Sequence, residues 1–113
     1  MSDVERVSRD QLLERIHRRE AFVLVDALSP MSYAASHLPG AVNIPPESVD
    51  DRASTAIPDP EAAIVVYCMN PDCDSSARVA GRLVELGYRN VVHYADGKTD
   101  WVDAGLPLEG GRV

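Results

Sequence analysis

The chain has 113 residues, a length that fits one domain with a hydrophobic core of its own. Its 18 acidic and 11 basic residues give a formal net charge of −7. Non-specific binding to nucleic acid or to an anionic membrane needs clustered Lys and Arg, so this charge argues against both. It does not exclude an anionic substrate, because the charge of one pocket can differ from that of the whole chain. We predict a single domain over residues 1–113.

The N-terminal segment, MSDVERVSRD, lacks the apolar centre of a secretory signal. No other stretch approaches the roughly 18 apolar residues of a membrane span. We therefore expect a cytoplasmic protein, where thiols stay mostly reduced. Two cysteines are too few for a disulfide framework or an all-cysteine zinc site. His17 and His93 lack metal-ligand spacing, so we expect neither a metal nor a cofactor.

The first half of the chain predicts four elements. Ser8 and Gln11 form a capping-box pattern at the start of a helix over about 9–19. The apolar run 21–27 predicts a buried strand that carries Asp26 near its end. A short helix then has Pro30 in its first turn. A short strand follows within LPGAVNIPP, and four prolines make 45–61 a loop-rich connection with room for one helical turn.

The second half predicts two clear strands and two helices. The run 63–67 predicts a buried strand, and 90–95 predicts another. Between them, Ser75 or Ser76 can cap a helix that ends near residue 86, where Gly87 terminates it. Asp96 and Gly97 predict a tight turn before a last helix over 98–105 and a tail.

Strands that alternate with helices in this way predict an α/β domain with a largely parallel sheet. Ligands of such sheets bind beyond the carboxyl ends of the strands. Cys68 and Asp26 both lie at such ends, so we expect them on one rim of the sheet.

The segment AIVVYCMNPDCDSS, residues 63–76, passes from a strand through a polar loop to a helix. Loop amides and a helix N-terminus together form a cradle for anions. A cysteine at the mouth of such a cradle has a stabilised thiolate and can act as a nucleophile. The pattern also suits Cys68 as a small buried hydrophobic residue, and it does not decide between the two interpretations.

Two longer segments resemble the single-domain rhodanese (sulfurtransferase) family. VLVDALSPMSYAASHLPGAVNIP is similar to the family's D-x-R-x-x-x-E-[YF]-x-x-G-H-[IL]-P-G-A motif. VVYCMNPDCDSSARVAGRLVELGYRNVVHYADGKTDWVDAGLP resembles its strand–Cys–loop–helix, G-[YF]-x-N-V and G-L-P features. The resemblance implies a three-layer fold with a mostly parallel five-stranded sheet flanked by helices. It also implies that Cys68 carries sulfane sulfur as a persulfide.

The sequence departs from the family pattern at several positions. Leu28 and Ser32 replace an Arg and an acidic residue, and Ser36 replaces a Gly. The loop after Cys68 is two residues longer than the common short loop and lacks its usual Gly and Arg. Asp72 and Asp74 stand there instead and would repel a phosphate dianion if they pointed inward. A phosphatase or an arsenate reductase therefore ranks well below a sulfurtransferase.

The predicted site has one catalytic residue, Cys68, and a substrate-binding loop. Asp26 and Arg78 are candidate auxiliary residues, but the sequence favours a turn-capping role for Asp26 and a solvated surface position for Arg78. His37 and Trp101 are expected to be structural. The predicted loop residues are Met69, Asn70, Pro71, Asp72, Cys73, Asp74, Ser75 and Ser76.

Cys73 has three interpretations at this point. It can resolve a sulfenate or persulfide on Cys68 as an intraloop disulfide, act as a second sulfur-handling thiol, or pack inward to help fold the loop. Three hypotheses for the protein follow: a sulfurtransferase, a noncatalytic rhodanese-like module that binds a partner protein, and a Cys68–Cys73 redox switch. The expected partner is a small sulfur donor, or a persulfidated protein or thiol. The sequence leaves the oligomeric state open.

Overall fold

The computed structural model describes residues 4–110, which form an α/β fold of five strands and five α-helices. The sheet order is β1-β5-β4-β2-β3, and every neighbouring pair is parallel. The predicted five-stranded parallel fold is therefore confirmed. The elements are β1 (Glu5–Arg6), α1 (Arg9–His17), β2 (Val23–Asp26), α2 (Pro30–Ala35), β3 (Val42–Asn43), a 3-10 turn (Pro46–Ser48), α3 (Val49–Ala56), β4 (Ala63–Tyr67), α4 (Ser75–Glu85), β5 (Asn90–Tyr94) and α5 (Gly97–Asp103).

The side chains of β4 point alternately to the two faces of the sheet, and each face has its own hydrophobic core. Val66 and Cys68 face a core that includes residues of α3 and α4. Val65 and Tyr67 face the opposite core, which includes Leu12 of α1 and Trp101 of α5. The two helical layers thus enclose the sheet. Within residues 4–110, no helix is both long and apolar enough to cross a bilayer.

The structure corrects the prediction for residues 45–61. This connection is mostly helical, because it holds the 3-10 turn and the eight-residue α3. Val49, Ala53 and Ile57 recur every fourth residue and are all buried. That spacing is the helical signal, and the many prolines around it obscured it.

Both ends of the described chain pair with the rest of the domain, and the N-terminal strand β1 was not predicted from the sequence. β1 has only two residues, both exposed, so it lacks the apolar pattern of a strand. It exists because it pairs with β5 at the edge of the sheet. At the other end, Glu109 pairs with His37 in an isolated antiparallel bridge, so the predicted tail partly docks on the domain. The last three residues of that tail lie outside the described residues.

A buried carboxylate fastens the rim of the sheet. Asp26 has no exposed surface. Its Oδ1 accepts from the Leu28 amide at 2.8 Å, and its Oδ2 accepts from the Tyr67 hydroxyl at 2.6 Å. The same hydroxyl accepts from the Leu38 amide at 2.9 Å. Burial raises the pKa of Asp26, and the Tyr67 hydrogen bond opposes that rise.

We expect Tyr67→Phe to lower the free energy of unfolding by about 2–4 kcal/mol at neutral pH, because the Asp26 carboxylate and the Leu38 amide both lose a buried partner. Tyr88→Phe is the matched control, since Tyr88 donates only to the neutral Ile57 carbonyl, and we expect it to cost about 1 kcal/mol. Urea unfolding measures both variants.

The Tyr67→Phe loss should shrink in acid. Without the hydrogen bond, the pKa of Asp26 in the folded protein rises further above its unfolded value. The variant therefore binds a proton more readily, and its deficit is greatest above that folded pKa and falls as the pH drops through it. A deficit that stays the same from neutral pH to about pH 4 would contradict this account.

Candidate active site

The start of α5 holds the backbone that follows β4. The Lys98 amide donates to the Cys68 carbonyl, and the Thr99 amide donates to the Met69 carbonyl, each at 2.9 Å. Gly97 makes this approach possible, because a Cβ at that position would lie 2.6 Å from the Cys68 carbonyl oxygen. Gly97 also has a φ of +73°, which L side chains rarely adopt. The loop thus begins at a fixed point.

Cys68 lies on the α4 side of the sheet and is fully buried. Its Sγ lies 3.3 Å from the Cys73 carbonyl oxygen and 3.3 Å from the Ser76 hydroxyl. Burial raises the pKa of the Cys68 thiol, although hydrogen bonds from Ser76 oppose the rise. The expected thiolate stabilisation is therefore wrong for this conformation, because burial and the neighbouring Cys73 side chain outweigh the hydrogen bonds from Ser76.

Cys73 has the opposite environment. It is half-buried and packs against the core that contains Cys68. Partial burial works against its thiolate, but hydrogen bonds from the Ser75 hydroxyl, the Met69 and Ser75 amides and the Cys68 thiol lower its pKa. The donors expected around an anion at Cys68 are thus divided, because those of Met69 and Ser75 act on Cys73 and those of Ser76 act on Cys68. Of the two cysteines, Cys73 is the more accessible and the more acidic.

The structure also corrects the predicted helix cap. α4 begins at Ser75 with Asp74 in the N-cap position, and no side chain caps it. The Ser76 hydroxyl points inward, 3.3 Å from the Cys68 sulfur and 3.2 Å from His93 Nδ1. Sequence reasoning gave His93 no role, although its position in β5, paired with Val66, signals a place on the Cys68 face.

The rest of the loop is a compact turn. Asn70 organises it, because its carbonyl accepts from the Cys73 amide at 3.1 Å and its side-chain oxygen accepts from the Asp72 amide at 3.0 Å. Pro71, Asp72 and Asp74 are exposed. The predicted loop residues are therefore contiguous around Cys68, but only some of them contact its sulfur.

The two auxiliary candidates do not touch the Cys68 sulfur. Asp26 lies at the end of the neighbouring strand, as predicted, but its side chain joins Tyr67 on the opposite face of the sheet. Arg78 is exposed on α4. Across residues 4–110 there is no cluster of three or more His, Cys, Asp or Glu side chains that suits a metal ion.

We expect Gly97→Ala to destabilise the protein by about 2–4 kcal/mol, because it adds a backbone clash to an unfavourable φ. Gly105→Ala is the matched control: its φ is +78° and nothing lies within 4 Å of the added methyl group. It should cost only about 1 kcal/mol. Equal losses in thermal unfolding would show that the contact between α5 and the loop carries no weight.

We expect iodoacetamide to label Cys73 before Cys68 at neutral pH. Cys73 is half-exposed with a lowered pKa, whereas Cys68 is buried with a raised pKa. Peptide mass spectrometry after short exposures measures the order, and the fully denatured protein is the control. Faster labelling of Cys68 in the folded protein would contradict the described loop.

Known proteins match both the sequence and the fold. Residues 8–104 match the model of the Rhodanese-like domain. The thiosulfate sulfurtransferase GlpE of Pseudomonas entomophila is 36% identical over 89% of this chain and 87% of its own. An HTH-type transcriptional regulator of Mycobacterium tuberculosis is 36% identical over 97% of this chain, which spans only 47% of that protein.

A solved structure described as rhodanese with anions, from Escherichia coli, superposes with a TM-score of 0.66 at 33% identity, over 80% of this chain and all of that one. The similarity to GlpE supports a sulfurtransferase-type function. The family match covers nearly all of the sheet and the whole loop between Cys68 and α4. The chain therefore belongs to the rhodanese-like domain family.

Proposed function

We propose that the protein is a sulfurtransferase that accepts sulfane sulfur from thiosulfate or a persulfide donor and holds it as a persulfide on Cys68. The position of Cys68 supports this proposal above all. It directly follows the central strand of a parallel sheet, and its sulfur contacts Ser76 in the first turn of α4. Ligands of parallel sheets bind at this end of the strands.

The chemistry needs two displacements at sulfur. The Cys68 thiolate attacks the sulfane sulfur of the donor, a new sulfur–sulfur bond forms, and the donor leaves with the electron pair of the broken bond, as sulfite from thiosulfate or as a thiolate from a persulfide. A thiophilic acceptor then attacks the terminal sulfur. Cyanide becomes thiocyanate, and the Cys68 thiolate is the leaving group.

The first displacement requires the loop to open. Cys68 has no exposed surface, and the carbonyl of Cys73 lies 3.3 Å from its sulfur. The bonds that fix the start of the loop go to α5, whereas the hydrogen bonds that the Asp72 and Cys73 amides donate go to Asn70, within the loop. Movement of residues 70–74 exposes Cys68 without disturbing the sheet.

The charges of the loop favour a neutral or protein-bound persulfide over thiosulfate. Residues 69–76 contain two aspartates and no Lys or Arg. Asp72 and Asp74 are both exposed, so they face any donor that approaches from solvent. Two like charges at short range oppose binding of a dianion such as thiosulfate, most strongly at low salt.

A second candidate function is a thiol redox switch, which the properties of Cys73 favour. The pKa of its thiol is lowered, and its backbone carbonyl oxygen lies 3.3 Å from the Cys68 sulfur. Attack of the Cys73 thiolate on a Cys68 persulfide forms a Cys68–Cys73 disulfide and releases hydrosulfide. The two cysteine sulfurs are oxidised and the sulfane sulfur is reduced, so the step balances.

Intact-protein mass spectrometry separates these functions. The reduced protein is mixed with thiosulfate or, separately, with a persulfide donor, beside Cys68→Ser and Cys73→Ser variants. We expect a gain of one sulfur atom that cyanide removes, that Cys68→Ser abolishes and that Cys73→Ser retains. We also expect the persulfide donor to act faster, by about tenfold at low salt, because of the loop charges.

Each other outcome points elsewhere. Sulfur gain in Cys68→Ser but not in Cys73→Ser would make Cys73 the carrier and overturn the assignment to Cys68. Loss of two hydrogens in the wild-type protein would favour the redox switch. No change with either donor would contradict both and leave the noncatalytic binding module as the better hypothesis.

A further inference from the structure

Three polar side chains form a continuous chain inside the core on the α4 side of the sheet. Cys68 Sγ lies 3.3 Å from Ser76 Oγ, which lies 3.2 Å from His93 Nδ1. Their residues are 0%, 1% and 8% exposed. Polar groups are costly to bury, and this core is otherwise mostly aliphatic. The three buried polar side chains therefore call for a functional explanation.

We propose that His93 is a positioning residue for Cys68 that holds the thiol proton, which reaches it through the Ser76 hydroxyl. This inference rests on the proposed sulfur chemistry of Cys68. It concerns how the buried thiol becomes a thiolate, which neither the family match nor the loop composition explains.

The geometry supports both ends of the proton transfer. In the resting state the thiol donates to Ser76 Oγ and the hydroxyl donates to His93 Nδ1. After transfer, the imidazolium donates through Nδ1 to Ser76 Oγ, and the hydroxyl donates to the Cys68 thiolate. The same three atoms and two contacts serve each state, so no heavy atom has to move.

The environment keeps the neutral pair dominant at rest. Burial, and then the charge of Arg6 on β1, lower the pKa of His93, while burial raises that of Cys68. The thiolate–imidazolium pair is therefore a minor state that forms when a donor is in place. A site that ionises only during attack protects a buried thiol from unwanted oxidation.

The reaction balances with a persulfide donor. Cys68 passes its proton through Ser76 to His93, and the thiolate takes the sulfane sulfur of R–S–SH. The leaving R–S⁻ takes a proton from solvent, and the imidazolium releases one. The net change is Cys68–SH plus R–S–SH to Cys68–S–SH plus R–SH.

Other titratable groups around the chain are few in the described part of the molecule. The loop contributes the Cys73 thiol, whose charged form would raise the pKa of Cys68, and β1 contributes Arg6, which pairs with His93 in the sheet. The backbone of Lys98 in α5 contacts the start of the loop, but its ammonium group points elsewhere and donates to the Ser36 carbonyl at 2.7 Å. None of these is a base that can take the proton from a buried thiol through Ser76.

The test uses the full-length protein in a Cys73→Ser background, so that only Cys68 reacts. Iodoacetamide alkylation rates of Cys68 are measured against pH for this parent and for added Ser76→Ala or His93→Gln. His17→Gln is the matched control, since His17 is exposed at the end of α1. Alkylation does not depend on sulfur transfer, so it tests the relay even if the sulfurtransferase proposal fails.

We expect both relay variants to slow alkylation at neutral pH by at least about tenfold, because a positioned base typically contributes about 10²–10⁴-fold when a proton must be removed. The double variant should be no slower than either single one, since each breaks the same chain. At high pH, where hydroxide removes the proton, all rates should converge. His17→Gln should match the parent throughout.

Nitrogen-15 spectra of the histidines provide a readout that does not depend on folding losses or on access to the thiol. Neutral His93 should carry its proton on Nε2, because Nδ1 accepts from Ser76, and Ser76→Ala should shift the Nδ1 signal. An Nδ1-protonated tautomer at neutral pH would overturn the proposal. So would a Ser76→Ala effect on alkylation without a His93→Gln effect, because the chain would then end at Ser76.

Discussion

Two backbone hydrogen bonds hold the site together. The amides of Lys98 and Thr99, at the start of α5, donate to the carbonyls of Cys68 and Met69. They convert the end of β4 from a free strand terminus into a fixed corner, and they satisfy carbonyl groups that would otherwise be buried without partners. Gly97 permits the contact, since any side chain there would meet the Cys68 carbonyl. The loop that follows can therefore be long and unusual in composition while its first residue stays in place.

The alternation of side chains at that corner divides two tasks between two adjacent residues. Tyr67 points to one face and joins the buried Asp26, which fastens β4 to β2 and to the turn at Leu38. Cys68 points to the other face and joins Ser76 and His93. A parallel sheet makes this division simple, because one step along the strand reverses the face. The Asp26 carboxylate and the Cys68 thiol therefore lie at the ends of neighbouring strands but on opposite faces, with the sheet between them.

Much of this arrangement was predictable from the sequence. The apolar runs of β4 and β5, the Ser8 capping box and Gly87 gave element types and approximate ends, because each depends on local pattern. α3 was missed because the prolines around it indicated a loop more strongly than its apolar residues, spaced four apart, indicated a helix. β1 was missed because a two-residue exposed strand has no apolar pattern and forms only by pairing with β5. The position of Cys68 followed from the strand pattern. Its neighbours did not, since the contact with His93 depends on strand order and on the face of α4 that Ser76 occupies.

The two thiols show why a cysteine motif alone gives an incomplete picture of reactivity. A cradle of amides was expected to favour the Cys68 thiolate. The amides of Met69 and Ser75 instead serve the half-exposed Cys73, and the buried Cys68 has a carbonyl oxygen 3.3 Å from its sulfur. Acidity follows the local donors and the local solvent rather than the position in the motif. A buried, neutral thiol needs a base of its own, and the only imidazole that a hydrogen-bonded chain links to it within residues 4–110 is that of His93. The ionisation of Cys68 therefore depends on Ser76 and His93 in the core, whereas that of Cys73 depends on the hydrogen-bond donors of the loop.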